Sequence, residues 1–99
     1  MTWGIGAALL EESVMDVGFG DYVNCDFASY HIASCADVER LEVRWIDEQD
    51  AHVNPVGAKG IGELGHVGVA AAIANAVYAA TGVRLRDLPI TPEKLLTRN

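Results

Sequence analysis

Hydrophobic and polar positions alternate along this chain with periods that change from segment to segment. Residues 3–12 carry Ile5, Ala8, Leu9 and Glu12 at helical spacing, which predicts a short helix with Leu9 and Leu10 toward a core. Gly4 and Gly6 weaken its start, so packing has to support it. Residues 13–16 read as extended, the cluster Gly18-Phe19-Gly20-Asp21 as a turn, and Tyr22-Val23 as the returning arm of a hairpin. Residues 28–32 form a candidate short strand anchored by Tyr30. The clearest strand pattern lies at 40–47, where Leu41, Val43 and Trp45 alternate with Glu42 and Arg44. A loop stiffened by Pro55 follows over 48–59. Residues 64–80 then predict a helix stopped by Gly82 and apolar around nearly its whole circumference, hence buried on most sides. A connector over 83–89 leads to a last short helix with Thr91 as N-cap and Pro92 at its first position. The sum is an α+β (mixed α/β) chain with a small sheet and about three helices.

Composition adjusts this picture. Ninety-nine residues allow one domain at most. A 51% hydrophobic content is rich for so small a soluble domain and points to surface covered by a partner, a second copy included. The net charge of −7 argues against nucleic acid and anionic membranes, which select basic patches. No leader opens the chain and no apolar run reaches a membrane span of about 18 residues. The expected compartment is the cytoplasm, or the periplasm if a partner carries the export signal. Cys25 and Cys35 are not a Cys-x-x-Cys pair and read as two reduced, buried thiols.

The densest chemistry sits in Asn54-Pro55-Val56-Gly57-Ala58-Lys59-Gly60-Ile61-Gly62-Glu63. Glycines at this density permit positive φ angles and close approach to another group. They deliver the Glu63 carboxylate to the mouth of an Ala-rich helix. In an unrelated fold Glu63 would serve only to offset the helix dipole, worth about 0.3–1 kcal/mol. Residues 60–65 satisfy Gly-x-Gly-x-x-Gly, but a dinucleotide site would follow its strand directly, and Glu63 would repel a pyrophosphate. Lys59 precedes the glycines and no Ser or Thr follows it, so the run is not a Walker loop. Glu63 and His66 form one Glu-x-x-His pair, where a di-iron bundle needs two pairs and two more glutamates. His31 and His52 are isolated, and no metal-ligating set emerges.

The run resembles the active-site loop of the large molybdenum subunit of the xanthine dehydrogenase/aldehyde oxidase family, roughly Gly-x-Lys-Gly-x-Gly-Glu. The resemblance continues through Asn75-Ala76, Ala80-Thr81-Gly82, Leu88-Pro89 and Thr91-Pro92-Glu93, and is strongest over 54–96 toward bacterial aldehyde oxidoreductases. Residues 4–47 follow more loosely, through Gly4-Ile5-Gly6-Ala7-Ala8-Leu9, Glu11-Glu12, Asp16, Gly18, Asn24, Tyr30 and Asp37. Two prolines usual in the family are replaced at about Ala33 and Glu39.

This resemblance implies that residues 1–99 are a single partial domain, the C-terminal end of a molybdopterin-binding domain. It implies hydroxylation of aldehydes or N-heterocycles with oxygen from water, with Glu63 as base and Gly60, Ile61 and Gly62 shaping the pocket beside the cofactor. That cofactor would be molybdopterin, in its cytosine dinucleotide form, with molybdenum. Lys59 would join Gly60, Ile61 and Gly62 as a cofactor-binding residue, steadying the loop or a nearby anion, or would simply form a salt bridge. The implied partners are the remainder of the molybdenum subunit and iron–sulfur and FAD subunits. A cofactor site needs convergent walls, so the chain alone is expected to bind none and to be inactive. The alternative reading is a non-catalytic domain that self-associates as a homodimer.

Overall fold

The computed structural model describes residues 1–97, in the order helix, hairpin, long irregular segment, helix, helix. The first helix, α1 (Thr2–Leu9), stops at Leu10, where the N–H groups of Leu10 and Glu11 both donate to the Gly6 carbonyl at 2.8 and 2.9 Å. It therefore ends earlier than the periodicity suggested.

The hairpin pairs β1 (Met15–Asp16) with β2 (Asp21–Tyr22) in antiparallel register, Met15 opposite Tyr22. Its turn is organised by Asp16. The carboxylate accepts from Gly18 N (2.7 Å) and Phe19 N (3.2 Å), and the carbonyl accepts from Gly20 N (2.7 Å). Gly20 adopts φ of 71°, a conformation only glycine takes cheaply. Asn24 closes the hairpin's open end by accepting from Val14 N at 2.9 Å and donating to Glu12 O at 2.5 Å.

Two expected strands are absent among the described residues. Residues 28–32 lie in and beyond a turn, because the Asp26 carboxylate draws in the N–H groups of Ala28 (2.8 Å) and Ser29 (2.9 Å) and the Ser29 hydroxyl. Short polar side chains that bond their own backbone compete in this way with ladders. Residues 40–47 keep their alternating pattern but pair with no strand, and Leu41, Val43, Trp45 and Ile46 are all exposed. A strand needs a neighbour to satisfy its backbone, and among the described residues the only sheet is the two-stranded hairpin.

The Ala-rich helix, α2 (Val69–Thr81), begins five residues later than expected. Residues 62–68 run as successive turns, since Gly65 and Gly68 make a continuous helix costly there. Gly82 ends α2 in the left-handed conformation, φ 72°, with its N–H on Tyr78 O at 2.8 Å, as its sequence position indicated. No residue of α2 is buried, contrary to the expectation of burial on most sides, because α1 is the only described helix or strand that packs against it. The last helix, α3 (Pro92–Leu96), starts at Pro92 after an extended Thr91. Both cysteines are free, but exposed rather than buried.

The core is small: Ala8, Leu85 and Ile90, with Gly4, Gly6 and Pro89 beside them. Ile90 N donates to Ala8 O at 2.7 Å, which ties the 83–90 connector to α1. Gly4 lets α1 and α2 touch, because a Cβ there would lie 2.6 Å from Val69 Cβ. The accessible surface is 8324 Å², whereas a compact monomer of this mass exposes about 5,500 Å². The radius of gyration is 18.0 Å against about 13 Å for a compact domain of this length. The excess is apolar, with Trp3, Phe19, Phe27, Trp45 and Ile46 at least 74% exposed. No described helix is long and apolar enough to cross a membrane.

Candidate functional site

The loop from Asn54 to Glu63 has a braced half and an open half. Asn54 organises the first. Its side-chain carbonyl accepts from Val56 N (3.0 Å) and Ala58 N (3.1 Å), and its amide donates to Ala58 O (2.6 Å). Gly57 N donates to Asn54 O at 3.1 Å, and Gly57 takes φ of 71° to close the turn. Pro55 at the second turn position presets the backbone for this bend.

Lys59 lies at the junction of the two halves. Its Nζ is 2.9 Å from Glu48 Oε2 and 3.4 Å from Asp50 Oδ2. The other oxygen of Asp50 accepts from His52 N at 2.9 Å. Sequence reasoning allowed Lys59 a salt bridge but did not name its partners. The signal was the acidic run Asp47-Glu48-Gln49-Asp50 shortly before an isolated lysine.

The open half is Gly60-Ile61-Gly62-Glu63. Neither Gly60 nor Gly62 takes a positive φ, so this part of the expectation about the glycines fails. A Cβ built at either position meets nothing within 4 Å. Backbone conformation and internal packing thus give no reason for glycine at 60 or 62, and their exposed side is free for a bulky group to approach closely. Ile61 is exposed between them.

Glu63 follows at the first of the turns that lead into α2. Its carbonyl accepts from His66 N (2.9 Å) and Val67 N (3.1 Å), and Leu64 N donates to Ile61 O (3.2 Å). Its carboxylate is exposed and engages no side chain or backbone donor among the described residues. His66 is exposed, and no group of three or more His, Cys, Asp or Glu gathers at one point among the described residues. Beside Leu64 runs an open apolar groove of about 390 Å³, lined by Met1, Ile5, Leu41, Leu64, Val69 and Ile73 among others.

The site is therefore one contiguous run, Lys59 to Glu63, carried between a clamped turn and a helix. No family model matches the chain. Individual relatives do. The chain is 53% identical over 98 residues, 99% of its length, to the aldehyde oxidoreductase molybdenum-binding subunit PaoC of Escherichia coli. The chain belongs to the xanthine dehydrogenase/aldehyde oxidase family of molybdenum-binding subunits. A xanthine dehydrogenase molybdenum-binding subunit of Escherichia coli is 38% identical over 96% of the chain. The 6-hydroxypseudooxynicotine dehydrogenase complex subunit gamma of Paenarthrobacter nicotinovorans is 35% identical, also over 96%. The chain spans only 13%, 12% and 12% of the length of these three family members. The small sheet, the meagre core and the surplus surface agree with a piece of a larger architecture.

Proposed function

We propose that this chain supplies the base-bearing loop of a molybdenum hydroxylase that oxidises aldehydes or N-heterocycles with water, and that Glu63 is the base. The observation that carries the reading is the open half of the loop. An exposed carboxylate with no partner among the described residues follows two glycines whose added Cβ would meet none of those residues within 4 Å. Gly60, Ile61 and Gly62 would lie against a molybdopterin cofactor, of the cytosine dinucleotide form, and Lys59 would steady the loop. When bound, that cofactor supplies the two-electron oxidation of the substrate. Glu63 takes up a proton from the attacking water-derived oxygen, and the enclosing protein raises its basicity by removing solvent. The glycines keep side chains out of the space between loop and cofactor.

Residues 1–99 are on this reading part of one domain, completed by the remainder of the molybdenum subunit. Iron–sulfur and FAD subunits would carry the electrons onward, in keeping with relatives named as subunits of complexes. The isolated 99-residue chain is inactive, because one loop does not form the convergent walls of a cofactor site. The test is Glu63→Gln in the assembled enzyme. Turnover should fall by about 10²–10⁴-fold, the range for loss of a general base, with cofactor content unchanged. Full activity in that variant would overturn the assignment of Glu63, and aldehyde turnover by the pure chain would overturn its dependence on partners.

A further inference from the structure

The geometry points to a role for Lys59 that is positional: with Glu48 and Asp50 it forms an upstream clasp that holds the Glu63 loop in register, and it is not a ligand for an anionic group. This inference rests on the reading of Glu63 as base.

Three observations carry it. The Lys59 ammonium is already shared between two carboxylates, at 2.9 and 3.4 Å. Two carboxylates and one ammonium leave the cluster with a net negative charge, which repels a phosphate or pyrophosphate. Second, the clasp bridges two stretches of the same irregular segment. The Asp50 carboxylate accepts from His52 N at 2.9 Å, the Asp50 carbonyl lies on the side of Gly57 where a Cβ would stand, 3.7 Å from that position, and Lys59 closes the span from the other side. Third, the residues between clasp and base are the least restrained of the loop. A Cβ at Gly60 or Gly62 would meet nothing within 4 Å, and among the described residues backbone hydrogen bonding resumes only with the turn from Ile61 onward. The path of Gly60 to Gly62 is therefore set by its two ends, the clasp before it and the turn leading to α2 after it. Releasing the upstream end lets the base wander, and displacing a reacting group by about 1 Å costs up to about 10²-fold in rate.

The test compares Lys59→Gln, Glu48→Gln/Asp50→Asn and the triple variant in the holoenzyme, with Lys59→Arg as the conservative replacement and Glu63→Gln as reference. Both partial disruptions should lower kcat by a similar factor, about 10-fold, with KM and bound molybdopterin within about twofold of wild type. The triple variant should add nothing further, because the three groups act as one unit. Lys59→Arg should recover most of kcat. Amide exchange at residues 60–63 should speed up in the disrupted variants, a readout that does not depend on turnover. Loss of bound molybdopterin in Lys59→Gln alone, with Glu48→Gln/Asp50→Asn like wild type, would make Lys59 an anion ligand and overturn the clasp. Unchanged exchange at 60–63 would overturn it as well. If Glu63→Gln keeps full activity, the base assignment fails separately, and the exchange data still decide whether the clasp orders the loop.

Discussion

Replacing Gly4 by alanine tests how α1 and α2 are held together. An added Cβ would stand 2.6 Å from Val69 Cβ and 3.0 Å from both Val69 methyls. Both groups belong to helical backbone or branch directly from it, so no flexible chain end can swing away. Ordinary carbon–carbon contact needs at least 3.4 Å, so the helices must part by about 1 Å. Overpacking of this kind costs about 1–3 kcal/mol. The gain in helix propensity from glycine to alanine returns about 1 kcal/mol. Strain wins over propensity, and a net loss of about 1 kcal/mol is expected. Gly68→Ala is the control. Its backbone is right-handed, and a Cβ there meets nothing within 4 Å, so it should stabilise by about 0.4–1 kcal/mol. Val69→Ala should not relieve Gly4→Ala, because the nearest atom is the Cβ that alanine keeps. The assay is equilibrium urea unfolding, with the denaturant slope checked for constancy. Equal stabilisation by both glycine replacements would refute the close crossing of α1 and α2 described above.

Other expectations are more local. Gly62→Ala should leave stability unchanged or raised by about 0.4–1 kcal/mol, yet reduce cofactor content or turnover in the assembled enzyme; normal loading and activity would remove the reason offered for glycine there. Asn54→Ala deletes three hydrogen bonds of the turn and should make residues 55–60 cleave faster under limited proteolysis, with Asn54→Asp intermediate because only the acceptor survives. The Tyr30 phenol is held above its ordinary value by its hydrogen bond to Glu11, with desolvation and the Glu11 charge adding to it. The folded state thus keeps this proton longer than the unfolded chain. That stability is present below the unfolded value, about pH 10, and is lost as pH rises through the folded one. Tyr30→Phe should flatten this alkaline loss, and an unchanged alkaline limb would refute the link. Asp26 and Asp37 are held below their ordinary value, chiefly by the side chains of Ser29 and Ser34. Their contribution is present above the unfolded value and lost as pH falls through the folded one, so Ser29→Ala should lessen the loss of stability below about pH 4.

Local rules were legible where local chemistry decides. Gly82 ending α2, Pro92 opening α3 and the turn over residues 17–20 follow from glycine and proline geometry or short-range hydrogen bonds. The loop itself was legible as a contiguous glycine-rich motif stiffened by Pro55, whereas the bracing by the Asn54 side chain shows only in the structure. What the chain could not announce was what lies outside it. The alternation of Leu41, Val43 and Trp45 is that of a strand, but no partner strand exists among the described residues. The apolar circumference of α2 suggested burial that one short helix cannot provide. Residues 28–32 failed for a different reason, since the capture of Ala28 and Ser29 by Asp26 outweighs strand propensity. Gly4 looked like a weakness of α1, whereas it is the point of contact with α2, and only the position of Val69 in space reveals this.

The surplus of accessible surface has a thermodynamic consequence. At about 2,800 Å² beyond a compact monomer, it reaches one partner's share of a large obligate interface, since such areas count both sides. If, as proposed, the remainder of the molybdenum subunit covers that surface, folding and association become one equilibrium, and the stability of this chain would be set by how much of its complement is present. Its lifetime in a cell would track stoichiometry: copies made in excess of the complement stay open to proteases, while matched copies are protected. On the proposed function, a base loop carried on such a chain would act only once the rest of the enzyme has arrived, so its chemistry would be withheld until assembly is complete.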